Sequence, residues 1–509
     1  MKNLVRILSL ALIISLFFFS DGALAKKHHK AKVSHAKTSI PVLTSNKVSQ
    51  FAVNPNLQLN AAVAHILAKY DPNVDIGIIV QSMGDGKIIY QQNAARLFKP
   101  ASSLKIFTAA AALERLGADA VFTTKAFSRV KPNANGTLPG DLYFYFDGDP
   151  VLHRNDLSNM VAEIKRAGVT NIQGNVYMDD SIFDQSSYGP GWMWDEKNFC
   201  YAAPTNAIML DKNCFPFHVT PGTKEDHLAV VKNSPGNQSV QITSLLVTRR
   251  AGADDCPMDL RVTDDNKYYL TGCIWPNSQT VSLVVAVKNI RLYAINVLSS
   301  IFAEQGIKIN GKIKIGKSPT GDNLNILASH NSPPLRDLVR VMLKKSDNLI
   351  ADALFKKVGF DYFNKTASWR SSSKAVYAIL KSQIGIEAHN TRIVDGSGLS
   401  HYNLVSPLTM ERLLYAVYHN PNIREPFYQA LPNSGIDGSL AYRLSAPDLR
   451  GKVHAKTGTM TSISSLAGYV VTKSGKVLGF VIMINDFLGK PPKYRQLEDE
   501  ICSFLARNM

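Results

Sequence analysis

The chain has 509 residues, 45% of them hydrophobic, with 57 Lys and Arg against 40 Asp and Glu for a formal net charge of +17. That length allows roughly two to four domains with ample core. The positive balance comes without any nucleic-acid recognition motif, and beyond the N-terminal stretch no segment reaches the run of about 18 apolar residues that a spanning helix needs.

Lys2 and Arg6 make a basic n-region, "ILSLALIISLFFF" an apolar h-region, and Ala23-Leu24-Ala25 an A-x-A cleavage site. Residues 1–25 therefore read as a signal peptide cleaved after Ala25, with the mature chain exported to the periplasm; the alternative is an uncleaved anchor. Residues 26–50 hold six lysines, three histidines and no acid, and read as a disordered basic arm. The arm could cling to anionic envelope polymers or lipid headgroups, or remain a solvated tail. No nucleic acid is expected as a partner of an exported chain.

From residue 57, "LQLNAAVAHILAKY" has helical spacing, and "VDIGIIVQSMGDGKIIYQQN" predicts two strands turning at Asp85-Gly86. "KPASSLKIFTAAAALERLG" predicts a helix from about Ala101, with Ile106, Ala109, Ala110, Leu113 and Leu116 as its buried stripe and Gly117 as its stop. The stretch from about 125 to 325 differs in texture. It has strand-like pieces such as "DLYFYF", and two helices, "NDLSNMVAEIKRAG" and "LYAINVLSSIFAEQG", on either side of a β-rich core. It also holds Cys200, Cys214, Cys256 and Cys273, which can pair in three ways; pairing of sequence neighbours is the favoured one. Near the end, "SSLAGYVVTKSGKVLGFVIMIND" predicts a hairpin turning at Ser474-Gly475, and "YRQLEDEICSFLARNM" an amphipathic helix burying Cys502 as a free thiol.

Hairpins and helices at both ends predict a mixed α/β (α+β) fold. One antiparallel sheet is built from the two ends of the chain and flanked by helices, and a large β-rich insertion interrupts it. The expected organisation is signal peptide 1–25, basic arm 26–50, first part of the main domain 51–124, inserted region 125–325 in two subdomains, and second part 326–509.

Ser102 and Lys105 lie one helical turn apart at the head of an apolar helix. A serine hydroxyl needs a base to become a nucleophile, and a desolvated lysine can be that base. The first helical turn also offers free N–H groups to a developing oxyanion. S-x-x-K recurs at Ser34–Lys37 and Ser371–Lys374, so alone it competes with a plain capping serine. Its company decides: Ser346-Asp347-Asn348 follows, then Lys456-Thr457-Gly458 leading into the last hairpin. S-x-x-K, S-D-N and K-T-G in this order belong to penicillin-binding proteins and serine β-lactamases.

Ser102 and Ser346 stand 244 residues apart, and "DGSGLSHYNLVSP" (395–407) and "GPGWMWDEKNFCYAAP" (189–204) accompany the three motifs. Together these resemble the class C low-molecular-mass penicillin-binding proteins, the serine D-Ala-D-Ala carboxypeptidase/endopeptidase family, over nearly all of the chain after the arm. The resemblance implies a penicillin-binding/β-lactamase-like transpeptidase fold, peptidoglycan peptide stems as substrate and β-lactams as covalent inhibitors. It implies Ser102 as the acylated nucleophile, Lys105 as its base, and Ser346 as a proton relay. Asn348 would hold Lys105 and a substrate amide, while Lys456 and Thr457 would receive the terminal carboxylate. Gly458 would admit substrate backbone, and the amides of Ser102 and Thr459 would form the oxyanion hole. Asp195 would bind the free amino group of the stem peptide, its other reading being a loop aspartate on a Trp-anchored turn beside Trp192 and Trp194. Asp395 reads as architectural. No metal or cofactor is expected, since no H-E-x-x-H occurs. A β-lactamase is the alternative within acyl transfer, but no E-x-x-L-N lies between Asn348 and Lys456. A non-catalytic cell-wall scaffold is the alternative outside it, and the retained motifs speak against it. Oligomeric state is not legible.

Overall fold

The computed structural model describes residues 55–509 apart from 234–239, 250–255, 277–278 and 389. The expected signal peptide, the expected basic arm and Ser34–Lys37 lie outside the described residues. Along the chain the helices are α1 (Pro55–Leu67), α2 (Lys105–Leu116), α3 (Arg154–Arg166), α4 (Ile290–Glu304), α5 (Leu335–Lys345), α6 (Asn348–Phe363), α7 (Trp369–Ser382), α8 (Pro407–His419), α9 (Arg424–Ala430) and α10 (Pro492–Asn508).

The two ends of the chain meet in one five-stranded antiparallel sheet, ordered Val453–Met460, Ile463–Val471, Val477–Asn485, Asp75–Ser82, Ile88–Gln92. Both expected hairpins are in it. Successive strand residues point to opposite faces, and here both faces are covered. Ile79, Val481 and Met483 join the core under α2, α5, α6, α7 and α8. Ile78, Val80, Phe480, Ile482 and Ile484 pack under α1 and α10. Double burial explains why the 463–471 and 477–485 strands are apolar without alternation. Cys502 is a buried free thiol in the second of these cores.

Between the 88–92 strand and α5 the chain forms a second sheet, ordered Ile313–Ile315, Val176–Asp179, Leu142–Tyr145, Thr123–Ser128, Asn325–Asn331. Its first three strands are parallel and its last two antiparallel. Helices α3 and α4 do not stand on opposite sides of it. They pack against each other and share one core with it, through residues such as Met160, Ile164, Leu298 and Phe302. Smaller sheets follow, and there the disulfides join Cys200 to Cys214 and Cys256 to Cys273, the neighbour pairing.

The predicted buried stripe on α2 is too narrow. Every residue from Lys105 to Leu113 is buried, while Leu116 is only partly so. The helix runs through the middle of the domain, touching α5, α6, α7, α8 and α9, so no face of its first turns meets solvent.

Candidate active site

Pro100 opens a single 3-10 turn, Ala101–Leu104, which passes directly into α2. Ala101 has φ +47°, the left-handed region that costs a residue with a Cβ about 1–2 kcal/mol. Packing holds it there: the Ala101 carbonyl abuts Gly398, where a side chain would overlap it. The hydroxyls of Ser103 and Ser465 both donate to the Pro100 carbonyl, at 2.7 and 2.8 Å, and pin the turn to the sheet. The turn leaves Ser102 half-buried and brings Lys105 Nζ to 3.0 Å from its Oγ.

Ser346-Asp347-Asn348 occupies a helix junction. Ser346 ends α5 in the left-handed conformation, φ +57°. Asp347 caps α6 by accepting from the Ile350 amide, and it pairs at 2.7 Å with Lys212 from the inserted stretch. Asn348, the first residue of α6, faces the site. Its Nδ2 donates to the Tyr201 carbonyl at 2.8 Å, so its Oδ1 is free to accept from Lys105 Nζ at 2.5 Å.

Lys456, Thr457, Gly458 and Thr459 lie on the edge strand 453–460. Lys456 Nζ donates to Ser346 Oγ at 2.9 Å and to the Thr457 carbonyl at 2.7 Å. A Cβ on Gly458 would lie 2.6 Å from the Pro100 oxygen and 3.1 Å from the Ser102 nitrogen, and would overlap Ser465 Oγ. Glycine here lets the strand close on the Ser102 turn itself. Ala455 N donates away from the sheet, to the Pro432 carbonyl. Strand N–H groups two residues apart share a direction, so the amides of Thr457 and Thr459 also point off the edge of the sheet. The Thr457 hydroxyl donates to Ser439 Oγ at 2.8 Å, and Thr459 Oγ1 accepts from Arg495 at 3.3 Å.

Lys105 and Lys456 are both completely buried. Desolvation lowers Lys105 from 10.5 to about 8 against the opposing pull of Asp352, Asp395 and Asp347. A depression of that size represents about 3 kcal/mol of differential interaction. Burial, and then the neighbouring Lys105, hold Lys456 well below the ordinary lysine range. Three oxygens surround Lys105 Nζ: Ser102 Oγ, Asn348 Oδ1, and the Ser397 carbonyl at 2.7 Å. Two of these can only accept, so they take the two N–H groups of a neutral amine. The lone pair is left facing the Ser102 hydroxyl, which can donate. This arrangement can deprotonate Ser102, and it places a second hydroxyl–lysine pair, Ser346 and Lys456, beside it.

The Ser397 carbonyl had no signal in the sequence, because a backbone acceptor carries no residue-type mark. The loop bearing it did: "DGSGLS" is tight, and Asp395 is architectural as expected. Its carboxylate is buried and accepts from Trp192 Nε1, the amides of Gly398 and Ser400, and Asn403 Nδ2, all at 2.8–2.9 Å. Ser371 is a capping residue, bonded to Ser368 at the head of α7. Ser474-Gly475 is the hairpin turn.

Asp195 is solvent-exposed and makes none of these core contacts. Its charge is close enough to help raise Glu196 and Tyr201, and the carbonyl of Tyr201 is the one held by Asn348. The flanking tryptophans divide. Trp192 is buried against Trp369, whereas Trp194 is 80% exposed, with the Lys197 ammonium 5.4 Å over its ring.

Residues 59–508 match the profile of the D-Ala-D-Ala carboxypeptidase 3 (S13) family. The chain is 34% identical over 431 residues to the D-alanyl-D-alanine carboxypeptidase DacB of Haemophilus influenzae, covering 84% of this chain and 89% of that protein. It is 30% identical over 428 residues to a D-alanyl-D-alanine carboxypeptidase of Actinomadura sp., covering 82% and 78%. The crystal structure of penicillin-binding protein 4 (dacB) from H. influenzae superposes with a TM-score of 0.81 at 32% identity, covering 87% of this chain and 99% of that one. With a profile match across the described fold, and a relative above 30% identity spanning most of both chains, the protein belongs to the D-Ala-D-Ala carboxypeptidase 3 (S13) family of serine peptidases.

Proposed function

We propose that this protein is an exported serine DD-peptidase that removes the terminal D-alanine from peptidoglycan stem peptides through an acyl-enzyme on Ser102. The observation that carries the reading is the three-oxygen cradle of Lys105, which leaves the buried amine, in its neutral form, with its lone pair aimed at the Ser102 hydroxyl. Lys105 takes the hydroxyl proton as Ser102 Oγ attacks the penultimate D-Ala carbonyl. The oxyanion forms against the amides of Ser102 and Thr459, where loss of one donor typically costs about 2.7–4 kcal/mol. The proton returns through Ser346 to the leaving nitrogen, the C–N bond breaks and D-alanine departs. Water then attacks the ester with Lys105 again as base. Lys456 and Thr457 receive the terminal carboxylate. The names of the relatives, D-alanyl-D-alanine carboxypeptidases, support this substrate.

Cleavage of D-Ala–diaminopimelate cross-links belongs to the same proposal, since it passes through the same acyl group and changes only the leaving amine. Asp195, anionic and exposed at the rim beside Tyr201, is the proposed contact for the free amino group of the stem. Residues 51–124 and 326–509 are the proposed catalytic domain, interrupted by 125–325. Cleavage after Ala25 and a role for the 26–50 arm at anionic envelope surfaces rest on the sequence. Mass spectrometry of purified muropeptides incubated with the protein tests the whole. Pentapeptide stems should lose one D-alanine and cross-linked dimers should fall to monomers, whereas unchanged pentapeptides would remove the proposed activity.

A further inference from the structure

Asp352 lies one turn along α6 from Asn348, is fully buried, and belongs to none of the three motifs. A single carboxyl oxygen, Oδ1, accepts from the amides of Gly396 at 2.8 Å and Ser397 at 3.0 Å. Its other oxygen has no hydrogen-bond partner among the described residues. The carbonyl of that same Ser397 is one of the three oxygens on Lys105 Nζ. The loop is clamped from the other side too, because Thr108 on α2 donates to the Gly396 carbonyl at 2.7 Å. Gly396 packs against the backbone of Ala351 and, with the space of a missing side chain, against Phe355. The loop is thus wedged between α2 and α6, and Asp352 holds the two peptide units that immediately precede the one whose carbonyl Lys105 uses.

We propose that Asp352 is a positioning residue for the base. By taking two adjacent amides on one oxygen it holds the Ser397 carbonyl on Lys105 Nζ, and so keeps the amine lone pair directed at Ser102. The inference rests on the reading of Ser102 and Lys105 as nucleophile and base. A buried carboxyl with one oxygen unpartnered is costly to ionise, and what the position supplies to the loop is an acceptor at Oδ1 rather than a charge. Burial and the charge of Asp395 also hold Asp352 well above the ordinary carboxylate range, against hydrogen bonds from Ser397 and Gly396 and the charge of Lys105. An amide should then replace the acid, and a longer acid should not.

The test compares Asp352→Asn, which keeps the Oδ1 acceptor and loses acidity, with Asp352→Glu, which keeps acidity and displaces the acceptor. The full-length protein is assayed for kcat and KM on an acyl-D-Ala-D-Ala peptide, for the rate of acylation by a chromogenic β-lactam, and for Tm. Asp352→Asn should retain at least a third of kcat, and Asp352→Glu should lose about 30-fold or more, the loss falling on kcat with KM within about threefold. If Asp352→Glu does not fold, Asp352→Ala takes its place with the same expectation. The proposal is overturned if Asn loses as much as Glu or Ala, if neither substitution moves kcat, or if the loss lies in KM alone. The parent and Ser102→Ala are run alongside. A covalent adduct surviving Ser102→Ala means that the underlying reading has failed, whereas a normal Ser102 adduct with indifferent Asp352 variants defeats this inference alone.

Discussion

Gly458 and Ser102 meet backbone to backbone: a Cβ on the glycine would sit 3.1 Å from the serine nitrogen and 2.6 Å from the Pro100 oxygen beside it. The edge strand carrying Lys456 therefore sits where it does only because residue 458 has no side chain. Gly458→Ala should push strand and turn apart. Overpacking of this kind typically costs about 1–3 kcal/mol, and displacing a reacting group by about 1 Å can cost 100-fold in rate. Stopped-flow acylation by a chromogenic β-lactam should fall about 100-fold with a modest drop in Tm; parent-like acylation would mean the strand has room to spare.

The cradle around Lys105 sets a pH dependence. An ammonium at Lys105 cannot accept the Ser102 proton, and desolvation holds this lysine at about 8. Below that value the neutral fraction falls tenfold per pH unit, so the second-order acylation rate should climb with slope one up to about pH 8 and then level off. A rate flat from pH 6 to 9 would show that a neutral Lys105 is not required.

The exposed carboxylate of Asp195 should matter to peptides and not to drugs. A charge-assisted contact with a cationic amine is worth about 1.5–3 kcal/mol, so Asp195→Ala should lower kcat/KM for diaminopimelate-containing peptides about 10- to 100-fold. Penicillin acylation should stay within about twofold. Equal loss of both would make Asp195 structural, and an unchanged peptide rate would move amine selection elsewhere.

Glu411, on α8 against the sheet, offers a test of the core. It is buried, and neither carboxyl oxygen has a hydrogen-bond partner among the described residues. Burial pushes it from 4.5 up to about 8, with Arg412 opposing. The folded protein thus keeps this proton across a range in which the unfolded chain has lost it. Stability from this group is fully present below about pH 4.5 and falls by about 1.4 kcal/mol per pH unit until pH reaches about 8. Glu411→Gln should therefore raise Tm clearly at pH 8 and little at pH 5; equal shifts at both would contradict the assignment.

Much of this was legible in the residues, for reasons that can be named. Asp85-Gly86 and Ser474-Gly475 are turn signals between alternating or continuous apolar runs, so the hairpins and the sheet joining the chain ends could be read. Ser102 and Lys105 depend on helical spacing, which the sequence gives directly. Other features depend on tertiary partners. Ser346 takes a left-handed conformation at the end of α5 that no serine announces. The all-round burial of α2 from Lys105 to Leu113 reflects the helices packed around it, which the spacing of its apolar residues does not record. The close packing of α3 on α4 could not be told from their separate amphipathic patterns. Trp194 and Trp192 are two residues apart and have opposite fates, because only Trp192 finds Asp395 and Trp369. Asp352 and the Ser397 carbonyl act through backbone groups, where sequence patterns are silent.

The proposed mechanism turns on acylation of Ser102. The most direct measurement is intact-mass analysis and peptide mapping after incubation with penicillin, on the parent and on Ser102→Ala. One covalent adduct per chain is expected, on the peptide containing Ser102 and absent from the variant. An adduct on Ser346, Ser371 or Ser397, or one that persists in Ser102→Ala, would contradict it.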